Sequence, residues 1–226
     1  MSAGSAVLLA GATGLVGGLA LRRWLARGDG PLLVAPVRRP LDVDHPRLLA
    51  LPGGWDEKSI ADALATRGAR LDAYACCLGT TIRQAGSREA FLEVDRDLVL
   101  SLAGIARRLG ARQALMVSSV GASAQSDNFY LRVKGETERA LGELGFERLD
   151  LLRPGLLLGE RSEKRAAEQW GQRLAPLFNP LLRGALRRYR AIAAADVAAA
   201  AVAVLSQGAG GRHVHENAGL LALARA

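Results

Sequence analysis

The chain has 226 residues, enough to bury a sizeable core as one domain, and half of them are hydrophobic and scattered among charges, which excludes disorder and fibrous repeats. Its formal charge of +8 lies mostly in arginines spread through predicted helices, without a basic tail or an aromatic-interleaved basic stripe, so nucleic acid is not an expected partner. No run approaches the roughly 20 apolar residues of a membrane span, so no membrane partner is expected either.

The N-terminal "MSAGSAVLLAGATG" lacks the basic start of a secretory signal and runs straight into a glycine turn. Within "AVLLAGATGLVGGLALRRWLARG" an apolar run is followed by that turn, then by leucines and alanines at helical spacing with arginines opposite. Gly11, Gly14 and Gly17 recur every third residue between the first strand and the first helix. A turn this tight needs residues without a β-carbon, and so does a backbone that must approach a pyrophosphate. The helix N-terminus adds unpaired N–H groups and partial positive charge. The spacing differs from G-x-G-x-x-G, but the strand–turn–helix context predicts a dinucleotide site built from Gly11, Thr13, Gly14, Leu15, Val16 and Gly17.

The second strand, "PLLVAPVRR", ends in Arg38 and Arg39, where a site for NAD(H) would carry an acidic residue for the ribose 2′-OH. Arginine there favours a 2′-phosphate, so NADP(H) is expected ahead of NAD(H). His45 stands alone before Pro46. A strand "RLLAL" and a helix "DEKSIADALATRG" follow. In the strand "LDAYACCLG" the adjacent Cys76 and Cys77 point to opposite faces, making a poor disulfide and a poor metal site, and a reducing cytoplasm is the expected setting. Beyond it "CLGTT" offers Leu78, Gly79 and Thr80, small enough to let the backbone approach an adenosine ribose.

After the helical "REAFLEVDRDLVLSLAGIARRLG" comes "ALMVSSVGASAQSDNFYLRVKGE": a strand ending in Ser118 and Ser119, a small polar loop, and a helix starting near Tyr130. Tyr130 and Lys134 are four apart and share a helix face. A lysine ammonium beside a tyrosine hydroxyl favours the phenolate, which otherwise forms near pH 10, and so makes the tyrosine an acid or base usable near neutrality. Ser119 can hold a substrate oxygen while the proton moves, and Lys134 can also hydrogen-bond a nicotinamide ribose. The next strand, "RLDLLRPGLLLG", ends at Pro154 and Gly155.

Strands alternating with helices in this way predict an α/β doubly wound parallel sheet, the Rossmann fold. Beyond Pro154 the pattern loosens. Two prolines break "EQWGQRLAPLFNPLLRGALRRYRAI", "ADVAAAAVAVL" reads as an alanine-rich helix and "RHVHENAGLLAL" as a late strand. Residues from about 160 to 226 are expected to form a small substrate-side lobe of the same domain. Trp24 and Trp170 are expected at helix edges. Arg183, Arg187, Arg188 and Arg190 read as a solvated basic helix, and His213 and His215 lack the third ligand a zinc site would need.

The motifs "GATGLVG", "VSSVGA", "YLRVK" and "LLRPGLLLG" resemble, in order, those of the short-chain dehydrogenase/reductase superfamily over roughly residues 5 to 160. More narrowly, "CCLGTTIRQAG", "FLEVDRDLVL", "SSVGASAQSDNFYLRVKGETE" and "LLRPGLLLGER" resemble its atypical branch, which includes a mammalian Tat-interacting oxidoreductase and bacterial sugar epimerase-like proteins. The resemblance implies a Rossmann fold, a preference for NADPH, chemistry carried by Ser119, Tyr130 and Lys134, and a nicotinamide contact near Pro154. It also leaves two alternatives open. The serine-to-tyrosine interval is short, so Ser118 can take the place of Ser119. Asp95 stands where many members have asparagine, which is either a change in their proton relay or a solvated, helix-stabilising charge. The expected activity moves hydride between nicotinamide and the carbonyl or alcohol of a small-molecule substrate, in a chain whose helices can pair into a homodimer. The same residues serve an epimerase or dehydratase, and an NADPH-binding regulatory protein would keep the cofactor site without turnover.

Overall fold

A computed structural model of the chain describes residues 4–159 and 184–225. Trp170, Arg183 and much of the expected lobe lie outside them. The main sheet has seven parallel strands: β1 (Gly4–Ala10), β2 (Leu32–Val37), β3 (Leu48–Pro52), β4 (Ala69–Cys76), β5 (Gln113–Val117), β6 (Arg148–Arg153) and β9 (Gly211–Glu216). Their spatial order is β3-β2-β1-β4-β5-β6-β9. A parallel sheet is covered on both faces, which is why β1, β2 and β4 read as almost continuous apolar runs.

Helices α1 (Leu15–Ala26), α7 (Ala194–Val204) and α8 (Asn217–Arg225) cover one face, and α2 (Glu57–Thr66), α5 (Val99–Arg108) and α6 (Phe129–Glu143) the other. Alternate strand residues feed the two layers: Val7, Leu9 and Leu115 enter the first, Ala6, Leu8, Ala114 and Met116 the second. Trp24, expected at a helix edge, belongs to the first core at 3% exposure, because it lies on the inward stripe of α1 with Ala20 and Leu21.

Side-chain caps start the helices where the sequence changes from loop to periodic pattern. Asp56 accepts the Ser59 N–H at 2.9 Å at the head of α2, and Asn128 accepts the Leu131 N–H at 3.1 Å, so α6 starts at Phe129. The segment read as one helix after β4 is helical throughout but changes type along its length. A single turn α3 (Ile82–Ala85) precedes α4 (Arg88–Leu92), which runs through a π-helical stretch, Glu93–Leu98, into α5.

At the C-terminal side, β7 (Leu157–Leu158) pairs with β8 (Ile192–Ala193) behind a 3₁₀ helix, Gly184–Tyr189. The late strand stops at Glu216, where alternation gives way to the helical spacing of α8. Asn217 anchors this region: its Oδ1 accepts the Gly155 N–H at 2.9 Å and its Nδ2 donates to the Arg190 carbonyl at 2.6 Å. The chain leaves β1 outward to β2 and β3, then returns across β1 to β4. That reversal opens a crevice at the C-terminal strand ends.

Candidate active site

The glycine loop sits at the crevice. Gly11 has φ +86°, and a Cβ on it would lie 2.5 to 2.7 Å from the backbone of Cys77 and Leu78. A Cβ on Gly17 would lie 2.1 Å from the Gly11 carbonyl oxygen. Lack of side chains therefore brings the loop against both its own helix and the loop after β4, so residues 77–80 form one wall beside it. At the head of α1 the N-cap Gly14 offers no side-chain cap and the first turn has no acidic residue, while Thr13 and Gly14 are exposed. The first helical N–H groups thus face the crevice without an internal acceptor, the environment a pyrophosphate requires. Arg38 and Arg39 are exposed directly after β2, next to β1 in the sheet. By these criteria the cradle fits a dinucleotide.

On the other side of the crevice, α4, the π-helical stretch and α6 run together. The Phe91 ring packs against Phe129 and Tyr130, each at 5.8 Å between centroids. One turn on, Lys134 Nζ lies 2.8 Å from Asp95 Oδ1, with Lys134 at 2% and Asp95 at 0% exposure. The other carboxylate oxygen accepts the Thr80 N–H at 2.8 Å, and Thr137 Oγ1 donates to the Asp95 carbonyl at 3.3 Å. Burial pushes the Lys134 ammonium towards neutrality, but Asp95 and Tyr130 outweigh it and raise its pKa above the ordinary lysine value. The solvated alternative for Asp95 is thereby overturned: its carboxylate is sealed between three elements and paired with the lysine.

The two serines differ. Ser118 is 5% exposed and its hydroxyl has no partner, whereas the Ser119 hydroxyl reaches the Val120 carbonyl at 3.3 Å. By strand alternation Ser118 follows Met116, on the face that carries α6, and Ser119 points the other way. Gly79, exposed at the crevice, is within 3.7 Å of both Asp95 Oδ1 and Lys134 Nζ, measured from where a Cβ would stand. Pro154 is buried, with its carbonyl accepting the Val120 N–H at 2.9 Å, so it ties together the segments that follow β5 and β6. Arg187 and Arg188 are exposed on the 3₁₀ helix, where Arg188 stacks on Tyr189 and lies 3.9 Å from Glu216. Burial pushes both cysteine thiols up, which removes them as nucleophiles.

Two features escaped the sequence reading. The pairing of Asp95 with Lys134 left a trace in the four-residue spacing of Phe91, Asp95 and Val99, all buried. A second buried network, far from the crevice, joins Arg148 to Asp150 through two hydrogen bonds of 2.6 and 2.9 Å, and Asp150 to His215 Nε2 at 2.7 Å. His215 is thus committed to a carboxylate, and its ring stacks on that of His213. A concavity of about 820 Å³ opens at the opposite, N-terminal edge of the sheet and includes Arg47, Arg70 and Arg148 in its lining. Those guanidinium groups are spent on the α1 carbonyls, Asp72 and Asp150, which marks it as structural.

No protein-family model matches the sequence. Protein HTATIP2 of Rattus norvegicus is 48% identical over 93 residues, covering 41% of this chain and 38% of that protein. Protein FMP52, mitochondrial, of Lodderomyces elongisporus is 32% identical over 191 residues, covering 79% of this chain and 80% of that protein. Among solved structures, MoeE5 in complex with UDP-glucuronic acid and NAD superposes with a TM-score of 0.67 at 18% identity, covering 93% of this chain and 75% of that one. This last likeness shows the fold. Among the described residues no helix is long and apolar enough to cross a membrane.

Proposed function

The chain belongs to the atypical branch of the short-chain dehydrogenase/reductase family, an NAD(P)-binding Rossmann family, alongside HTATIP2 and FMP52, and from that premise we propose that it is an NADP(H)-dependent oxidoreductase acting on a carbonyl or alcohol. What supports this reading is Lys134, buried on the helix that carries Tyr130 and acted on by its hydroxyl, together with the partnerless Ser118 hydroxyl just after β5 and the glycine cradle just after β1.

A bound nicotinamide dinucleotide would supply or accept the hydride, and the chain's own residues do the rest. The first turn of α1 holds the pyrophosphate, the wall from Leu78 to Thr80 lines the adenosine ribose, and Arg38 and Arg39 meet a 2′-phosphate, which is the ground for preferring NADP(H). In the reducing direction the Tyr130 O–H gives its proton to the substrate oxygen as the carbonyl carbon gains hydride, and the phenolate regains a proton from solvent. Lys134 supplies positive charge beside the tyrosine and a donor for the ribose. Of the two serines, Ser118 takes the role of positioning the substrate oxygen, because a buried hydroxyl without a partner is satisfied by a ligand that reaches it.

The test is NADPH consumption with a panel of aldehydes, ketones and quinones. Tyr130→Phe is expected to lower turnover by about 10²- to 10⁴-fold while leaving NADPH affinity nearly intact, the range over which one general acid acts. Equal activity in the mutant sinks the mechanism. Tight NADPH binding without consumption of any substrate favours the regulatory alternative. The FMP52 relatives carry "mitochondrial" in their names, so the compartment of this chain is a separate question for fractionation of its native cell.

A further inference from the structure

We infer that Asp95 is a positioning residue: its buried carboxylate is the counter-ion that keeps Lys134 charged and fixed between the cofactor wall and Tyr130. The inference rests on the assignment of Lys134 to the site, and three observations carry it.

The first is the geometry of the pair. A carboxylate without any exposure and an ammonium at 2% are 2.8 Å apart, and the second carboxylate oxygen takes the backbone N–H of Thr80, in the wall that faces the dinucleotide cradle. Asp95 therefore fastens the wall to the helix that carries Tyr130 and Lys134. Any displacement of the carboxylate moves the ammonium and the wall together.

The second is the helix that presents it. Asp95 is the one buried residue of the six in the π-helical stretch, flanked four positions away by buried Phe91 and Val99. All three are buried along one run, and there Phe91 meets Tyr130 and Asp95 meets Lys134. Turns of the π type recur at functional sites, and here one of them carries the charge that meets the lysine.

The third is the inventory of charge around Lys134. The titratable groups that act on it are Asp95 from the π-helical stretch, Tyr130 from its own helix and Cys76 from β4, whose thiol burial keeps protonated. The fixed negative charge therefore comes from Asp95. With it removed, burial loses its main opponent and the ammonium gives up its proton at lower pH.

The chain has three lysines, Lys58, Lys134 and Lys164, so the full-length protein labelled with ¹³C-lysine gives three side-chain signals that can be titrated by NMR without any turnover. The Lys134 signal, assigned by Lys134→Arg, is expected to titrate above the ordinary lysine value of about 10.4 in the wild type. It is expected to titrate below that value in Asp95→Asn, which keeps an acceptor for Thr80, and to return upward in Asp95→Glu. A folded Asp95→Asn protein whose Lys134 titrates as in the wild type overturns the inference. Should Asp95→Asn not fold, a wild-type Lys134 that titrates below the ordinary value overturns it equally. A protein that passes these titrations yet consumes no NADPH fails the proposed function alone.

Discussion

Single atoms decide the cofactor side of the crevice. At Gly11 a methyl group would meet the Cys77 and Leu78 backbone inside 3 Å while the residue holds φ +86°, so both backbone conformation and contact forbid a side chain. Gly11→Ala is expected to cost on the order of 1–3 kcal/mol in stability, the usual range for forced overpacking, and to abolish dinucleotide affinity. Denaturant unfolding and a cofactor titration check both parts. Arg38 has a different character, since it is exposed and its expected work is electrostatic. Arg38→Ala should weaken NADPH binding and leave NADH binding unchanged, and unchanged affinity for both removes the argument for a 2′-phosphate. Gly11 was legible in the sequence because an absent side chain is a positive signal there. The choice between Ser118 and Ser119 was not, because adjacent residues at a strand end differ only in the face they meet.

At the scale of elements, two pairs of neighbours carry the polar interior. One is the π-helical stretch against α6, where the single Thr137 hydroxyl proton is shared between the Val133 carbonyl of its own helix at 2.8 Å and the Asp95 carbonyl at 3.3 Å. The other is β6 against β9. There Arg148 also donates to the Ala209 carbonyl at 2.5 Å and to Gln207 Oε1 at 2.9 Å, so the guanidinium ties the connection after α7 to the sheet. Burial pushes the Asp150 carboxyl up, but hydrogen bonds from His215 and Arg148 outweigh it and hold it below the usual carboxylate range. A carboxyl lowered by folding contributes stability that is fully present above its unfolded value, near 3.9, and is lost as pH falls through the folded value. The urea midpoint should therefore fall on acidification below about pH 4, less steeply in Asp150→Asn than in the wild type. At neutral pH, Asp150→Ala should cost about 3–5 kcal/mol by leaving Arg148 buried without its partner. Neither network follows from helix or strand periodicity, which reports which face is inward and not which inward polar groups meet.

For the whole molecule, the strand order matters more than any one motif. Because β4 lies beside β1, with β2 beyond β1 and β5 and β6 beyond β4, the loops after five strands converge on one crevice. Residues 11–17, 38–39, 77–80, 118–121 and 154–155, scattered over most of the described chain, all follow directly on the C-terminal ends of those strands. Asn217 closes the arrangement from the last helix by holding the Gly155 turn and the Arg190 carbonyl together.

By itself the sequence determined the α/β alternation, the glycine turn between β1 and α1, and the helix face shared by Tyr130 and Lys134, because each is a local pattern of backbone freedom or hydrophobic period. Only the tertiary structure decided the partners. Asp95 reads as one charge among several in "EVDRD", and it becomes the counter-ion of Lys134 because it is the buried residue of the π-helical stretch and α6 places an ammonium 2.8 Å away. Ser118 becomes the serine with a free, buried hydroxyl because it follows β5 on the α6 face. Both outcomes depend on which elements pack together and in what register, and a buried charge or hydroxyl takes its role from the group across that interface.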